Sequence, residues 1–292
     1  MRRFLAIART AAIETMSQPL SAILFPVSVL AVHLLPSLQY HRFGAPGRLA
    51  RETGLSALFV FGLLFAVPAA ARVIGRELEV GTAAAALALG VSRTQYFIAR
   101  LTGVMAVFAL FFAGVLSATL LSSFSCVKAS TIFVEHGVVR VWGPAFAVGV
   151  SSAIMAFAAA AFLNRFANRR FCMWTCILAV VFQFPGLFLL DGTAHPAGIL
   201  PPFVSLASAC AVYVMMAGAL STRFKVNGVS SAVVAAVGLG FLMPVGFLAP
   251  DMRVFWLEEG SRAMLMPAVA GLALASLWCI IGCVSLERKE LE

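Results

Sequence analysis

The chain has 292 residues, 62% of them hydrophobic and 11% charged, with a mean hydropathy of +0.99 and a formal net charge of +9. Soluble domains carry about 25% charged residues, so this composition cannot cover a surface that faces water, and it excludes a soluble globular fold. In a bilayer the backbone must pair its polar groups internally, which leaves helices or a closed barrel. Apolar runs of about 20 residues without a period of two select helices.

The first element in chain order is an amphipathic helix over residues 1–19. At about 100° per residue, Phe4, Leu5, Ile7, Ala8, Ala11, Ala12 and Met16 share one face, Ile13 being the exception, and Arg2, Arg3, Arg9 and Glu14 share the other. Such a helix lies in the membrane interface with its basic face toward anionic headgroups. Arg9 and Glu14 interrupt the apolar core that a signal peptide needs. About eight spans follow, at 20–38, 53–74, 97–121, 141–163, 171–190, 203–220, 229–248 and 264–284. Pro196, Pro201 and Pro202 leave two readings of the sixth, a span or the start of a re-entrant hairpin. The expected fold is therefore an all-α polytopic membrane protein, an interfacial helix over 1–19 followed by a transmembrane domain over 20–292. With the N-terminus inside, Lys and Arg favour the inner segments by roughly two to one, which places both termini in the cytoplasm. The basic residues are scattered over separate loops, so the positive charge reads as orientation and nucleic-acid binding is not expected.

Between the second and third spans lies a compact charged segment, Arg76-Glu77-Leu78-Glu79-Val80-Gly81-Thr82, closed by Gly90-Val91-Ser92-Arg93. Gly81 breaks the preceding span. The Thr82 hydroxyl can accept from free N–H groups of the next first turn, residues 83–89 propagate that turn, and Gly90 can end it in the left-handed conformation. Ser92-Arg93-Thr94-Gln95 is a capping-box pattern that opens the next span. A short helix with such caps at the membrane face suggests a docking surface.

An acid, then Gly-Thr, then a short apolar stretch, then Ser-Arg, all between the second and third spans, resembles the ABC-2 type transporter permeases. The resemblance covers 1–190 in layout and this segment in residues, and the last two spans fall outside it: a six-span core with about two further C-terminal spans. It implies that the segment is a coupling helix seated in a cleft of a separate ATP-binding cassette subunit. Glu77 or Glu79 would stand at the acidic position, Gly81 and Thr82 at the Gly-Thr pair, and Ser92 and Arg93 at the closing pair. The family often has Pro where Gly90 stands, and Lys after the Ser-Arg pair where this chain offers Arg100. The implied protein is the permease subunit of an exporter in a bacterial or archaeal cytoplasmic (inner) membrane. It would be surrounded by membrane lipids, paired with a second permease copy or homologue, and driven by ATP bound on the partner subunit.

Chemistry of its own is not expected. No phosphate-binding loop is present, so ATP hydrolysis has no seat in this chain, and no catalytic residues, cofactor or metal site are assigned. Cys172 with Cys176, and Cys279 with Cys283, share helix faces, as small packing residues in apolar helices commonly do. His33, His41, His136 and His195 fall toward the outer side without a specific spacing. The acids cluster at span ends, which disfavours a proton-driven carrier. Ala145, Gly149 and Ala153, then Ala156 and Ala160, recur at fourfold spacing and allow close helix approach, within one subunit or between two. Trp142, Trp174 and Trp256 fall near span ends. The alternatives to an exporter subunit are a membrane scaffold or assembly factor and a secondary transporter.

Overall fold

The computed structural model describes residues 1–38, 46–81, 83, 87, 88, 90–132, 143–190, 198–242, 250 and 265–288, with the side chains of 46, 128–132 and 265 left out. The helices are α1 (Arg2–Met16), α2 (Pro19–Leu38), α3 (Pro46–Val80), α4 (Arg93–Ile132), α5 (Gly143–Ala167), α6 (Phe171–Val181), α7 (Phe184–Leu187), α8 (Leu200–Leu220), α9 (Val226–Leu242) and α10 (Leu265–Glu287). Among the described residues there is no strand. Six helices, α2, α3, α4, α5, α8 and α10, are long and apolar enough to cross a membrane. The chain is thus an all-α protein of the polytopic membrane kind.

Eight spans were expected, and the fifth and seventh correspond to shorter apolar stretches, Phe171–Leu187 and Val226–Leu242. The fifth is broken. α6 stops at Val181, Phe182 and Gln183 form a turn, and α7 begins with Pro185 in its first turn. Pro185 has no N–H to return to Val181, so one bond of the α-helical ladder is missing at this break. The sixth expected span is one unbroken helix of 21 residues. Pro201 and Pro202 sit in its first turn, where an N–H has no intrahelical acceptor to lose. Helices α3 and α4, of 35 and 40 residues, outrun their apolar runs. At about 1.5 Å per residue they measure roughly 52 and 60 Å, against a hydrocarbon core of about 30 Å. Nothing in Arg72–Val80 breaks the α3 helix, so it continues past the apolar run as a charged stem that only Gly81 ends.

The chain divides into two compact units, Met1–Thr15 with Leu63–Phe108 and Val204–Glu292 (unit 1), and Met16–Gly62 with Ala109–Phe203 (unit 2). Helices α3 and α4 contribute a segment to each. In unit 2, α2, α5 and α6 pack on one another. The small-residue row of α5 is buried: Ala145, Gly149, Ala153, Ala156 and Ala160. A Cβ on Gly149 would overlap the His33 imidazole of α2, so the row serves packing within one chain. Buried hydrogen bonds cross between helices. Ser122 Oγ donates to the Val32 carbonyl at 2.9 Å, and Ser117 Oγ donates to Gln183 Oε1 at 3.1 Å, beside the α6–α7 break.

In unit 1, α8 is the buried helix: Cys210, Val212, Tyr213, Val214 and Ala217 are fully enclosed. Gly218 of α8 lies against Leu101 and Ile74, Gly271 of α10 against Ser208, and Gly282 of α10 against the Phe97 ring. Small residues at crossings are how helices associate where apolar burial gives no preference over lipid. Helix α1 joins this unit through a narrower stripe than the apolar face predicts. Ala8, Ala11 and Thr15 are its buried residues, whereas Leu5 is exposed. The reason is Gly103 of α4: a Cβ there would run into the Ala8 carbonyl and the Ala11 methyl. Only small side chains fit so close a crossing, so the bulky ones, Phe4, Ile7 and Met16, are only half-buried beside it.

Candidate functional site

The site is built where α3 ends and α4 begins. Helix α3 stops at Val80, and Gly81 takes φ +77°, a conformation that costs a non-glycine L-residue roughly 1–2 kcal/mol. No neighbouring atom would meet a Cβ on Gly81, so its glycine is required by backbone angle alone. Ala83, Leu87 and Ala88 are helical, and Ala83 is buried. Gly90 ends the segment at φ +76°, its N–H donating to the Leu87 carbonyl at 3.0 Å. Ser92 then caps α4, its Oγ accepting from the Gln95 N–H at 3.2 Å. Both glycine stops and the serine cap lie where the pattern predicts them. Thr82 and residues 84–86 and 89 of the expected short helix lie outside the described residues, as do His41, His136, His195, Trp142 and Trp256.

The expected site residues do not all face one way. The Glu77 carboxylate is turned into the protein, where it accepts from Tyr96 Oη and pairs with Arg100. Glu79 is exposed and makes no ion pair or hydrogen bond among the described residues. Of the two acids, Glu79 is the one whose side chain is open to the surroundings. Arg93 is also engaged: its Nη1 donates to the Glu287 carbonyl at 2.9 Å, and Thr94 Oγ1 donates to the Glu287 carboxylate. A guanidinium at the C-terminus of α10 meets unpaired carbonyls and the negative end of the helix dipole.

Arg100 falls inside the expected third span, 97–121, and the sequence assigns it no partner. It is 3% exposed. It holds Glu77 of α3 on one side and Glu14 of α1 on the other, with Nη2 3.0 Å from Glu14 Oε2. Helices α1, α3 and α4 are thereby tied by one guanidinium, close to the Tyr96 ring. Burial pushes the Glu14 carboxyl above its ordinary value, and the Glu77 charge adds to that, while Arg100 opposes both. The signal that could have found this cluster is an arginine with a tyrosine one turn before it, inside a helix pattern, and a lone acid on an otherwise basic helix.

No protein-family model matches the chain, and no curated protein or solved structure is detectably similar to it.

Proposed function

We propose that this chain is the membrane-spanning permease subunit of an ABC-2-like exporter, energised by a separate ATP-binding subunit that docks on the segment at 77–93. The observation that carries this reading is the short connection itself. A glycine at φ +77° ends a charged helical stem, a second at φ +76° closes the segment, and a serine cap restarts the next long helix. A plain connector needs none of these features. Closure of an ATP-bound dimer would push on this segment. The push would pass into α3 and α4, and Arg100 would carry α1 with them. Glu79 is the exposed acid that suits a basic cleft. The residues offer no seat for a triphosphate, so the energy enters from the partner, and a second permease copy would complete the path. With the termini inside, this end faces the cytoplasm.

The test is a set of variants in the connection. Glu79→Ala and Gly81→Val should leave membrane abundance near wild type and weaken co-purification of the ATPase subunit and stimulation of its turnover. Loss of a charged contact at such an interface costs about 2–5 kcal/mol in binding. Full ATPase association with both variants would remove the docking assignment.

A further inference from the structure

A groove of about 380 Å³ opens on unit 1 where the C-terminal ends of α8 and α10 come together. Phe224, Trp278, Ile281 and Val284 form its apolar walls, and Arg223 and Arg288 line it at the helix ends. From Arg288 to Trp278 along α10 is about 15 Å at 1.5 Å per residue. The groove therefore has a cationic head and a long apolar body. Its apolar residues are open to the surroundings, Phe224 at 59% and Ile281 at 43% exposure.

The cationic head is held in place. Arg223 Nε donates to Ser285 Oγ at 3.0 Å, and Ser285 is itself paired with Thr222 Oγ1 at 2.8 Å. That contact uses one nitrogen and leaves both terminal NH2 groups of Arg223 without a partner among the described residues. Arg288 is exposed, with no ion pair among the described residues. The nearby acid, Glu287, accepts from Thr94 and does not line the groove. Two arginines beside a helix terminus can also serve the helix dipole alone. That explanation accounts for neither the apolar trough running from them nor the fixing of Arg223 across to α10.

We propose that this groove binds one anionic phospholipid from the leaflet at this end of unit 1. Arg223 and Arg288 take the headgroup phosphate, and an acyl chain lies along Phe224, Ile281 and Val284. Guanidinium groups suit phosphate oxygens through paired N–H donors, and basic pockets between membrane helices recognise such headgroups. The inference requires only that α8 and α10 lie in a membrane, and it stands or falls apart from the exporter reading.

The experiment uses the full chain, delipidated in detergent and titrated with phosphatidylglycerol, phosphatidylcholine or inorganic phosphate, and read by native mass spectrometry. Phosphatidylglycerol should be retained at least tenfold more tightly than phosphatidylcholine. Arg223→Gln with Arg288→Gln should abolish that preference, and Arg223→Lys with Arg288→Lys should keep part of it. A second readout needs no change at the arginines. In a form whose single tryptophan is Trp278, brominated phosphatidylglycerol should quench fluorescence more than brominated phosphatidylcholine. Equal retention of the two lipids, an undiminished preference in the glutamine variant, equal quenching, or competition by phosphate at millimolar concentration would each overturn the proposal.

Discussion

Replacing Arg100 by methionine tests whether its guanidinium holds α1, α3 and α4 together. The Arg100 side chain is 4% exposed, against 37% for Glu14 and 25% for Glu77. Methionine fills much of the same volume but removes the guanidinium that lies between the two carboxylates, leaving Arg76 as the other cation that acts on Glu14. Breaking a fully buried pair by removing one partner costs about 3–5 kcal/mol. Water reaches both carboxylates in part, so the lower end, about 3 kcal/mol, applies here. At about 2–4 °C per kcal/mol for a large domain, the melting temperature of the purified protein should fall by roughly 6–12 °C. The decisive comparison is the triple variant Arg100→Met, Glu14→Gln, Glu77→Gln. With no charge left unpaired it should recover most of the loss, a non-additivity that only interacting residues give. Thermal unfolding followed by size-exclusion chromatography in one detergent measures all the forms. A single variant that melts within 2 °C of wild type, or a triple variant no more stable than the single, would refute the argument.

Three further outcomes are expected. Gly149→Ala should destabilise the protein by about 1–3 kcal/mol through overlap with the His33 ring, and adding His33→Ala should restore part of that stability, read as a melting temperature above that of Gly149→Ala alone. Glu14 should give the folded protein a stability advantage at low pH. Its raised carboxyl value means that the folded state holds the proton more tightly than the unfolded chain, so the contribution is complete below the ordinary value of 4.5 and is lost as pH rises through the raised one. Melting curves between pH 7 and pH 4 should therefore differ in slope between wild type and Glu14→Gln, and parallel slopes would count against it. Reporter fusions at Val80, Ala167 and the C-terminus should report the cytoplasm and those at Gly44 and Gly260 the opposite side, with a cytoplasmic signal at Gly260 refuting the orientation.

What was legible in the sequence was local. Gly81, Gly90 and Ser92 act on backbone within a turn of themselves, so their effect on α3 and α4 follows from their own chemistry. The apolar runs likewise locate the helices, because length and composition alone decide what a bilayer accepts. The Glu14–Arg100 pair was not legible, since it joins residues 86 apart in the chain. An arginine at a helix start also looks the same whether it faces lipid headgroups or a buried carboxylate. Glu77 and Glu79 were interchangeable in the pattern, and only the helical rotation of α3 turned one inward and left the other exposed. The break before Pro185 was hidden because hydropathy is blind to a missing N–H. The α5 row of small residues was readable as close packing, but its partner, the His33 ring, was not.

The interrupted α6 bears on how the chain enters a membrane. Alone, α6 has 11 residues and rises about 16 Å, half the thickness that a segment must cross to be stable by itself. The insertion machinery cannot settle it as an independent unit. Its natural companion is α5, joined to it by Asn168, Arg169 and Arg170. Asn168 takes φ +49°, and the Arg169 carbonyl is held by Asn164 Nδ2 at 2.8 Å. Such a fixed turn would deliver the two helices as a hairpin, with the short member admitted because the long one shelters its broken end. Biogenesis should therefore be more sensitive to the Asn164–Asn168 turn than to the hydrophobicity of α6 itself.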